Sequence, residues 1–256
     1  MDLKERRKIE TVRRHPWEMS RAGIIDSLLK LEPEREYEIL DIGCGDLFLE
    51  EYLLGKHPRL HFYCVDIAYS EEEVLLLSQK NKQVKVFNNF TAVADKVKQM
   101  DFILLLDVVE HIKADQAFLK QLTNRPFFTE HTEILITVPA FQSLYTSHDL
   151  FLGHYRRYSL RKLKDLVRQA DLKICTSGYF YTSLLLPRIL KKGKEKILGK
   201  GKETTGLVEW KGKNGWTSLL KKVLTFDYHV GRIFNSIGIR LPGLSTYVLC
   251  RKKSVL

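Results

Sequence analysis

Short apolar runs alternate with amphipathic segments from residue 37 to residue 179, and this alternation restricts the fold more than any other feature of the sequence. The runs predicted as strands are Tyr37–Ile42, His61–Val65, Val84–Phe87, Phe102–Leu106, Glu133–Val138 and Leu172–Tyr179. The segments predicted as helices are Leu47–Leu54, Ser70–Lys80, Asp115–Leu122 and Ser159–Ala170. Nearly continuous apolar strands separated by helices are typical of a parallel sheet covered on both faces. We therefore predict a doubly wound α/β fold.

The segment that follows, residues 180–241, does not continue the alternation of strands and helices. Residues 180–241 are predicted to form a basic helical lid or insertion, which includes an amphipathic run from Trp216 to Ile237. The closing segment, 242–256, contains Leu244–Cys250, which is rich in β-forming residues and is predicted to return to the edge of the sheet. This last strand would complete a Rossmann-like, mostly parallel sheet of seven strands with helices on both faces.

The N-terminal part, residues 1–36, reads as a helical segment in which Pro16 lies near a helix start. Its first residues are charged, so we expect no secretory signal. We expect residues 1–256 to form a single domain whose cofactor-binding core spans 37–179.

Positive charge is concentrated in the second half of the chain. Residues 151–256 contain 23 Lys and Arg against 6 Asp and Glu, although the net charge of the whole chain is only +11. Such a segment can face an anionic partner, such as a lipid surface, a phosphorylated substrate or nucleic acid, or it can be a solvated surface. In 180–202, apolar residues flanked by lysines favour a helical lid packed on the active site, and peripheral contact with a membrane is the alternative, which is compatible with the lid.

The four cysteines form neither a metal-binding pair nor a disulfide framework. Cys44, Cys64, Cys175 and Cys250 are far apart, which favours a reducing compartment. No run of 18 apolar residues occurs, so we predict no membrane-spanning helix. We therefore expect a cytoplasmic protein, or one that is peripheral to the inner face of a membrane.

A glycine turn follows the first predicted strand. Asp41, Gly43 and Gly45 stand where an apolar strand meets a helix, and glycines there let a ligand approach the backbone. Nicotinamide enzymes use three glycines in this turn, and Phe48 occupies the position of the third. The pattern therefore disfavours a pyrophosphate site.

Asp41, Gly43 and Gly45 resemble the first motif, D/E-x-G-x-G, of class I S-adenosylmethionine-dependent methyltransferases. Leu47 replaces a further glycine that is frequent in that family. Asp66 ends the second strand, where the family places an acid that binds the ribose hydroxyls. The resemblance implies S-adenosylmethionine as cofactor, held by Trp17, Arg21, Asp41, Gly43, Cys44, Gly45, Asp66, Ile67, Asn88, Asn89, Asp107 and Val108.

Further segments resemble a broad branch of that family, which includes ubiquinone-type O-methyltransferases and enzymes of glycan, lipid and natural-product pathways. These segments are Arg14–Arg21, Val138–Ala140 followed by His148-Asp149 and Gly153–Ser159, and Leu241–Ser245. The resemblance implies methyl transfer to a small-molecule or lipid- or glycan-linked acceptor, at oxygen. The alternatives are an RNA methyltransferase that uses the basic C-terminal part, for which no RNA-binding module is recognised, and a non-catalytic cofactor-binding protein.

Histidines are the candidate bases, because the pKa of their side chain lies near neutrality. His154, in a loop after the fifth strand, is the best placed, and His111 and Glu110 complete the candidate catalytic set. The predicted substrate-binding residues are His148, Tyr155, Arg156 and Arg157. For His148, a hydrogen bond within its loop is the stronger alternative.

The candidate base also belongs to a pattern that suggests a metal. Asp107-x-x-Glu110-His111, together with His154, resembles the metal-ligating set of small-RNA 2′-O-methyltransferases and some ubiquinone-type enzymes. Two carboxylates and two imidazoles suit a divalent ion that activates a hydroxyl group. In metal-free relatives the same Glu-His pair only shapes the pocket, and this is the interpretation we favour.

Overall fold

Seven strands organise the computed structural model, which describes residues 14–94, 96–97, 99–198, 210, 212 and 214–253. The strands are β1 (Tyr37–Ile42), β2 (Leu60–Val65), β3 (Val84–Phe87), β4 (Phe102–Leu106), β5 (Glu133–Pro139), β6 (Leu172–Phe180) and β7 (Ser245–Lys252). They form one sheet in the order β3-β2-β1-β4-β5-β7-β6. The first five strands in this order, β3, β2, β1, β4 and β5, pair in parallel, whereas β7 is antiparallel to both of its neighbours. The predicted α/β sheet is confirmed, and six strands lie within one residue of their predicted bounds.

The position of β7 corrects the expectation that the last strand joins the edge of the sheet. β7 lies between β5 and β6, and its residues from Thr246 to Cys250 are buried. An apolar strand with this burial must be covered on both faces and paired on both sides, which an edge position does not provide.

Nine helices accompany the sheet in the described residues. They are α1 (Pro16–Leu29), α2 (Phe48–Leu54), α3 (Glu71–Lys80), α4 (Phe90–Ala94), α5 (Asp115–Thr123), α6 (Ser147–Leu152), α7 (Leu160–Gln169), α8 (Leu185–Leu198) and α9 (Asn214–Ser236). Single 3₁₀ turns lie at Val109–His111, Gln142–Leu144 and Thr182–Leu184. None of the described helices combines the length and the apolar character needed to cross a bilayer.

The two faces of the sheet bury separate apolar cores, because successive side chains of a strand point to opposite faces. In β1, Ile39 packs in one core with Leu224 and Tyr228 of α9, and Leu40 packs in the other with Leu163 of α7. Both faces are therefore covered by helices, as predicted.

The start of α1 is fixed by its own residues. Pro16 is the first helical residue, as predicted, and the His15 ring accepts a hydrogen bond from the backbone N–H of Trp17. The Glu18 carboxylate accepts one from the backbone N–H of His15 at 3.0 Å. These reciprocal caps satisfy N–H groups that have no partner within the helix, and they fix the turn that carries Trp17.

Candidate active site

The glycine loop after β1 has a backbone that side chains would disrupt. Gly43 and Gly45 have φ values of +78° and +65°. A Cβ on Gly43 would lie 2.6 Å from Cγ2 of Val108, so the loop and the segment after β4 are in close contact. The Tyr69 hydroxyl donates a hydrogen bond to the Gly45 carbonyl and supports the loop from below. Cys44, a predicted cofactor residue, is buried in the same loop.

Asp66 follows β2 and faces this loop. Its carboxylate accepts hydrogen bonds from the backbone N–H groups of Gly45, at 3.0 Å, and Ala68, at 2.9 Å. The neighbouring Ile67 is 88% exposed. A fixed carboxylate beside an exposed apolar side chain suits a ribose with its attached base, so these residues fit the cofactor that the sequence implies.

Helix α1 closes one side of a cleft above the loop. Trp17, Arg21, Asp41, Gly43 and Leu106 are among the residues that line it. Both α1 residues predicted to contact cofactor therefore face the glycine loop.

Arg21 reaches across the cleft to the ends of two central strands. Its guanidinium pairs with the Asp107 carboxylate at 2.8 Å and donates to the Thr137 hydroxyl at 2.9 Å. Asp107 has a φ of +59°, an uncommon conformation for a residue with a side chain. Because β4 and β5 are central strands, this ion pair holds α1 against the carboxyl edge of the sheet.

A buried pair of acids lies under the glycine loop. Burial raises the pKa of Asp41 to about 6, although a hydrogen bond with Glu50 opposes the rise. Burial and the neighbouring charge of Asp41 raise the pKa of Glu50 well above its usual range. The two groups therefore hold a proton between them, which avoids two buried negative charges. Oδ1 of Asp41 and Oε2 of Glu50 are both buried, and among the described residues no other N–H or O–H group donates to either oxygen, which is consistent with a proton held between the two acids.

We expect Glu50→Gln to flatten the fall in stability of the wild-type protein towards alkaline pH. Between pH 4.5 and the raised pKa of folded Glu50, the unfolded chain releases this proton whereas the folded protein keeps it, so the free energy of unfolding falls as pH rises, by about 1.4 kcal/mol per pH unit. The Gln side chain does not titrate, and its amide can still donate a hydrogen bond to Asp41. Urea denaturation from about pH 5 to about pH 8 measures how the free energy of unfolding changes with pH in the wild-type protein and in the variant. Equal slopes in the two proteins would contradict a proton on Glu50.

Asp149 organises a second part of the site. Its carboxylate, fully buried, lies 3.0 Å from Nδ1 of His154, 2.7 Å from Nε of Arg157 and 2.9 Å from Nη2 of Arg188. Burial alone would raise the pKa of Asp149, but the hydrogen bond from His154 and the charge of Arg157 outweigh it and hold that pKa well below its usual range. The ionised carboxylate fixes the orientation of the His154 ring.

His154 also lies beside the residues that follow β4. The rings of His111 and His154 are nearly perpendicular, with centroids 4.6 Å apart. One ligand atom from each of Glu110, His111 and His154 lies within 4.8 Å of the others. Burial and the charge of Asp107 raise the pKa of Glu110 well above its usual range. This cluster brings together the three predicted catalytic residues and is compact enough for a divalent ion.

Two of the predicted substrate-binding residues are engaged within the protein. Arg157 is buried, and besides pairing with Asp149 it donates to the Ala140 carbonyl at 3.2 Å. Arg156 pairs with Asp115 at 2.7 Å and stays partly exposed. Arg157 therefore anchors its loop, whereas Arg156 still reaches the surface.

The other predicted contacts lie nearer the solvent. Tyr155 is exposed, and His148 is half-buried in α6. Asn88 is also half-buried. Asn89 caps α4, because its side-chain oxygen accepts from the backbone N–H of Ala92 at 2.8 Å. Their roles towards ligands stay predictions.

The sequence interpretation missed Glu50, Asp149 and Arg188. Glu50 stands beside Glu51, and only Glu50 is buried. Asp149 directly follows His148, which the sequence predicts as a substrate-binding residue. Arg188 lies in the segment that breaks the strand pattern. The Thr146–Asp149 spacing, typical of a capping box, is a local signal for Asp149, and the His148-Asp149 pair also belongs to the family resemblance, which gave Asp149 no role.

Comparison with known proteins assigns the fold and the family. The model of a family described as a methyltransferase domain matches residues 17–177. A Papaver bracteatum protein named "Probable (S)-tetrahydroprotoberberine N-methyltransferase 2" is 32% identical over 90 residues, which are 33% of this chain and 25% of that protein. The match thus spans about a quarter of the relative's length.

Two solved structures share the fold at low identity. A coclaurine N-methyltransferase bound to N-methylheliamine and S-adenosylhomocysteine has 15% identity and a TM-score of 0.56, over 92% of this chain and 70% of that one. A 1,6-didemethyltoxoflavin N1-methyltransferase of Burkholderia thailandensis has 16% identity and a TM-score of 0.53, over 92% and 79%. With the family match across the cofactor-binding core, the chain belongs to the methyltransferase-domain family of S-adenosylmethionine-dependent enzymes.

Proposed function

We propose that the protein transfers a methyl group from S-adenosylmethionine to the hydroxyl group of a small-molecule or lipid-linked acceptor. The observation that carries this proposal is the 3.0 Å hydrogen bond between His154 and the buried carboxylate of Asp149. This hydrogen bond orients the imidazole so that it can remove a proton. The ring lies beside the cofactor cleft, because the backbone N–H of Tyr155, the next residue, donates to the Glu110 carbonyl just after β4.

When bound, S-adenosylmethionine supplies a methyl group on a sulfonium, which is already a good leaving group. The protein then has to align the acceptor and remove its proton. Asp149 accepts from Nδ1–H of His154, so Nε2 carries the lone pair that takes the acceptor proton. His111, packed against the His154 ring, limits where that ring can move.

The cofactor would lie across the carboxyl ends of the central strands. Asp66 would accept hydrogen bonds from the two ribose hydroxyls, and Ile67 would cover one face of the adenine. Asp41, which lines the cleft, would accept from the amino group of the methionine part. Trp17 and Arg21, on α1, would cover the opposite side.

An amine acceptor is the second candidate. The relatives named above include N-methyltransferases, and an ammonium group also has to lose a proton before it can accept a methyl group. The same histidine would serve either acceptor, and methyl transfer to phenols against amines distinguishes the two.

Calorimetric titration with S-adenosylmethionine and S-adenosylhomocysteine tests the foundation of the proposal. Binding of both is the expected result, and binding of neither would overturn it and favour a non-catalytic protein. Transfer of a labelled methyl group to phenols, amines, lipid extracts and RNA would then identify the acceptor class. Labelled RNA alone would replace the small-molecule proposal.

Removal of divalent metal tests the role of Glu110, His111 and His154. If His154 acts as a base without metal, methyl transfer should persist after treatment with a chelator. Activity that disappears with the chelator and returns with Mg²⁺ would assign these three side chains to a metal site instead.

A further inference from the structure

Helix α8 has its apolar side in solvent. Leu186, Ile189, Leu190 and Ile197 are all exposed, whereas the polar side of the helix contacts the domain. On that side Arg188 pairs with Asp149, and Lys192 donates to the Tyr145 carbonyl at 3.0 Å. A surface helix ordinarily turns its apolar stripe to the core, and α8 does the reverse.

Helix α9 carries a second apolar row on its outer side. Its members are spaced alternately three and four residues apart, so they lie along one side of the helix: Trp216, Leu219, Val223, Phe226, Val230, Ile233 and, just after the helix, Ile237. All but the half-buried Val230 are exposed. The helix packs on α1 through other residues, because Leu224 and Tyr228 are buried there. The outer row is therefore mostly exposed to solvent in the described part of the chain.

The two helices are joined near the middle of α9. The backbone N–H and the hydroxyl of Ser183, just before α8, both donate to the Asp227 carboxylate, at 3.0 and 2.9 Å. Asp227 follows Phe226, so the first turn of α8 lies close to the centre of the α9 row. We call the exposed apolar residues of α8 and α9 the outer apolar face. Many large apolar side chains exposed on two neighbouring helices mark an interaction site.

The charges around the outer apolar face indicate which kind of partner it binds. Lys191, Lys194, Lys222 and Arg232 are exposed on the same two helices. Among residues 183–241 with described side chains, Asp227 is the one acid, and its carboxylate already accepts from Ser183. A basic surface with an apolar centre complements anionic headgroups above an acyl layer. Two copies of this face would instead bring like charges together.

We infer that the outer apolar face docks on the surface of a bilayer that contains anionic phospholipid, with α8 and α9 lying along the membrane plane. Exposed Trp216, at the start of the row, suits the headgroup level, where aromatic rings are favoured. The inference goes beyond methyl transfer, and it does not require the protein to be active.

Vesicle co-sedimentation tests the inference. The full-length protein should sediment with vesicles of phosphatidylcholine and phosphatidylglycerol, and less with phosphatidylcholine alone. Leu190→Glu combined with Phe226→Glu, at positions 64% and 69% exposed, should lower the bound fraction by on the order of tenfold or more. The matched control is Leu75→Glu in α3, also 64% exposed but next to Glu71–Glu73, which should leave binding unchanged.

Three results would overturn the inference. They are no sedimentation of the wild-type protein with anionic vesicles, an equal loss in the Leu75→Glu control, and self-association without vesicle binding that the double variant abolishes. The last would show that a second copy covers the face. S-adenosylmethionine titration of each variant, expected to be unchanged, confirms folding. Vesicle binding without cofactor binding would leave this inference intact and remove the proposed function.

Discussion

Replacement of His154 by alanine should lower kcat by about 100- to 10,000-fold, the usual contribution of a positioned general base. S-adenosylmethionine affinity should stay unchanged, because the His154 ring contacts Asp149 and His111 rather than the glycine loop. The measurements are methyl transfer to the identified acceptor and calorimetric titration of the cofactor. A fall in kcat with unchanged cofactor affinity would show that the variant has lost a proton acceptor and has kept its fold.

His131→Ala provides the matched control for this substitution. His131 is a highly exposed histidine in the loop before β5, and its removal should change neither kcat nor cofactor affinity. If His154→Ala retains most of the activity, then His154 is neither the base nor a required ligand. A parallel fall in cofactor affinity would point to collapse of the loop that carries it.

Asp66→Ala should weaken S-adenosylmethionine binding by about 100-fold or more. Two hydrogen bonds from ribose hydroxyls to a carboxylate would be lost, and bonds to a charged group contribute about 1.5–3 kcal/mol each. The carboxylate also holds the backbone N–H groups of Gly45 and Ala68, so part of the loss would come from a less ordered loop. Calorimetric titration with S-adenosylmethionine and with its demethylated product measures the effect.

Two companion variants separate these contributions. Asp66→Asn keeps an acceptor for a backbone N–H but loses the charge, so its affinity should lie between those of the alanine variant and the wild type. Glu72→Ala removes an exposed acid from α3 and should have no effect. Undiminished affinity in Asp66→Ala would exclude the ribose role of Asp66.

The strands could be predicted closely because each apolar run is bounded by polar or turn residues. β1 and β4 have the predicted bounds. The position of β7 could not be predicted, since its pairing depends on residues more than a hundred positions away. Local pattern places a strand, whereas strand order depends on the packing of the whole chain.

The candidate site shows the same division. The glycine loop and Asp66 carry local signals that a motif can match, and the structure brings them together. Asp149 and Glu50 carry none of comparable strength, because an acid in the sequence is usually solvated, and its burial becomes visible only with its partners. The inverted polarity of α8 follows from its contacts with Asp149 and Tyr145, which amphipathic spacing alone does not reveal.

The insertion of β7 between β5 and β6 also sets an order of assembly during synthesis. β6 leaves the ribosome well before β7, and until β7 arrives it has no neighbour to pair with, since its ladder in the finished sheet is formed with β7. For that interval β5 and β6 both present unpaired backbone groups, which are sites for mispairing with other chains. Completion of the sheet is thus a late, long-range event in the folding of this chain.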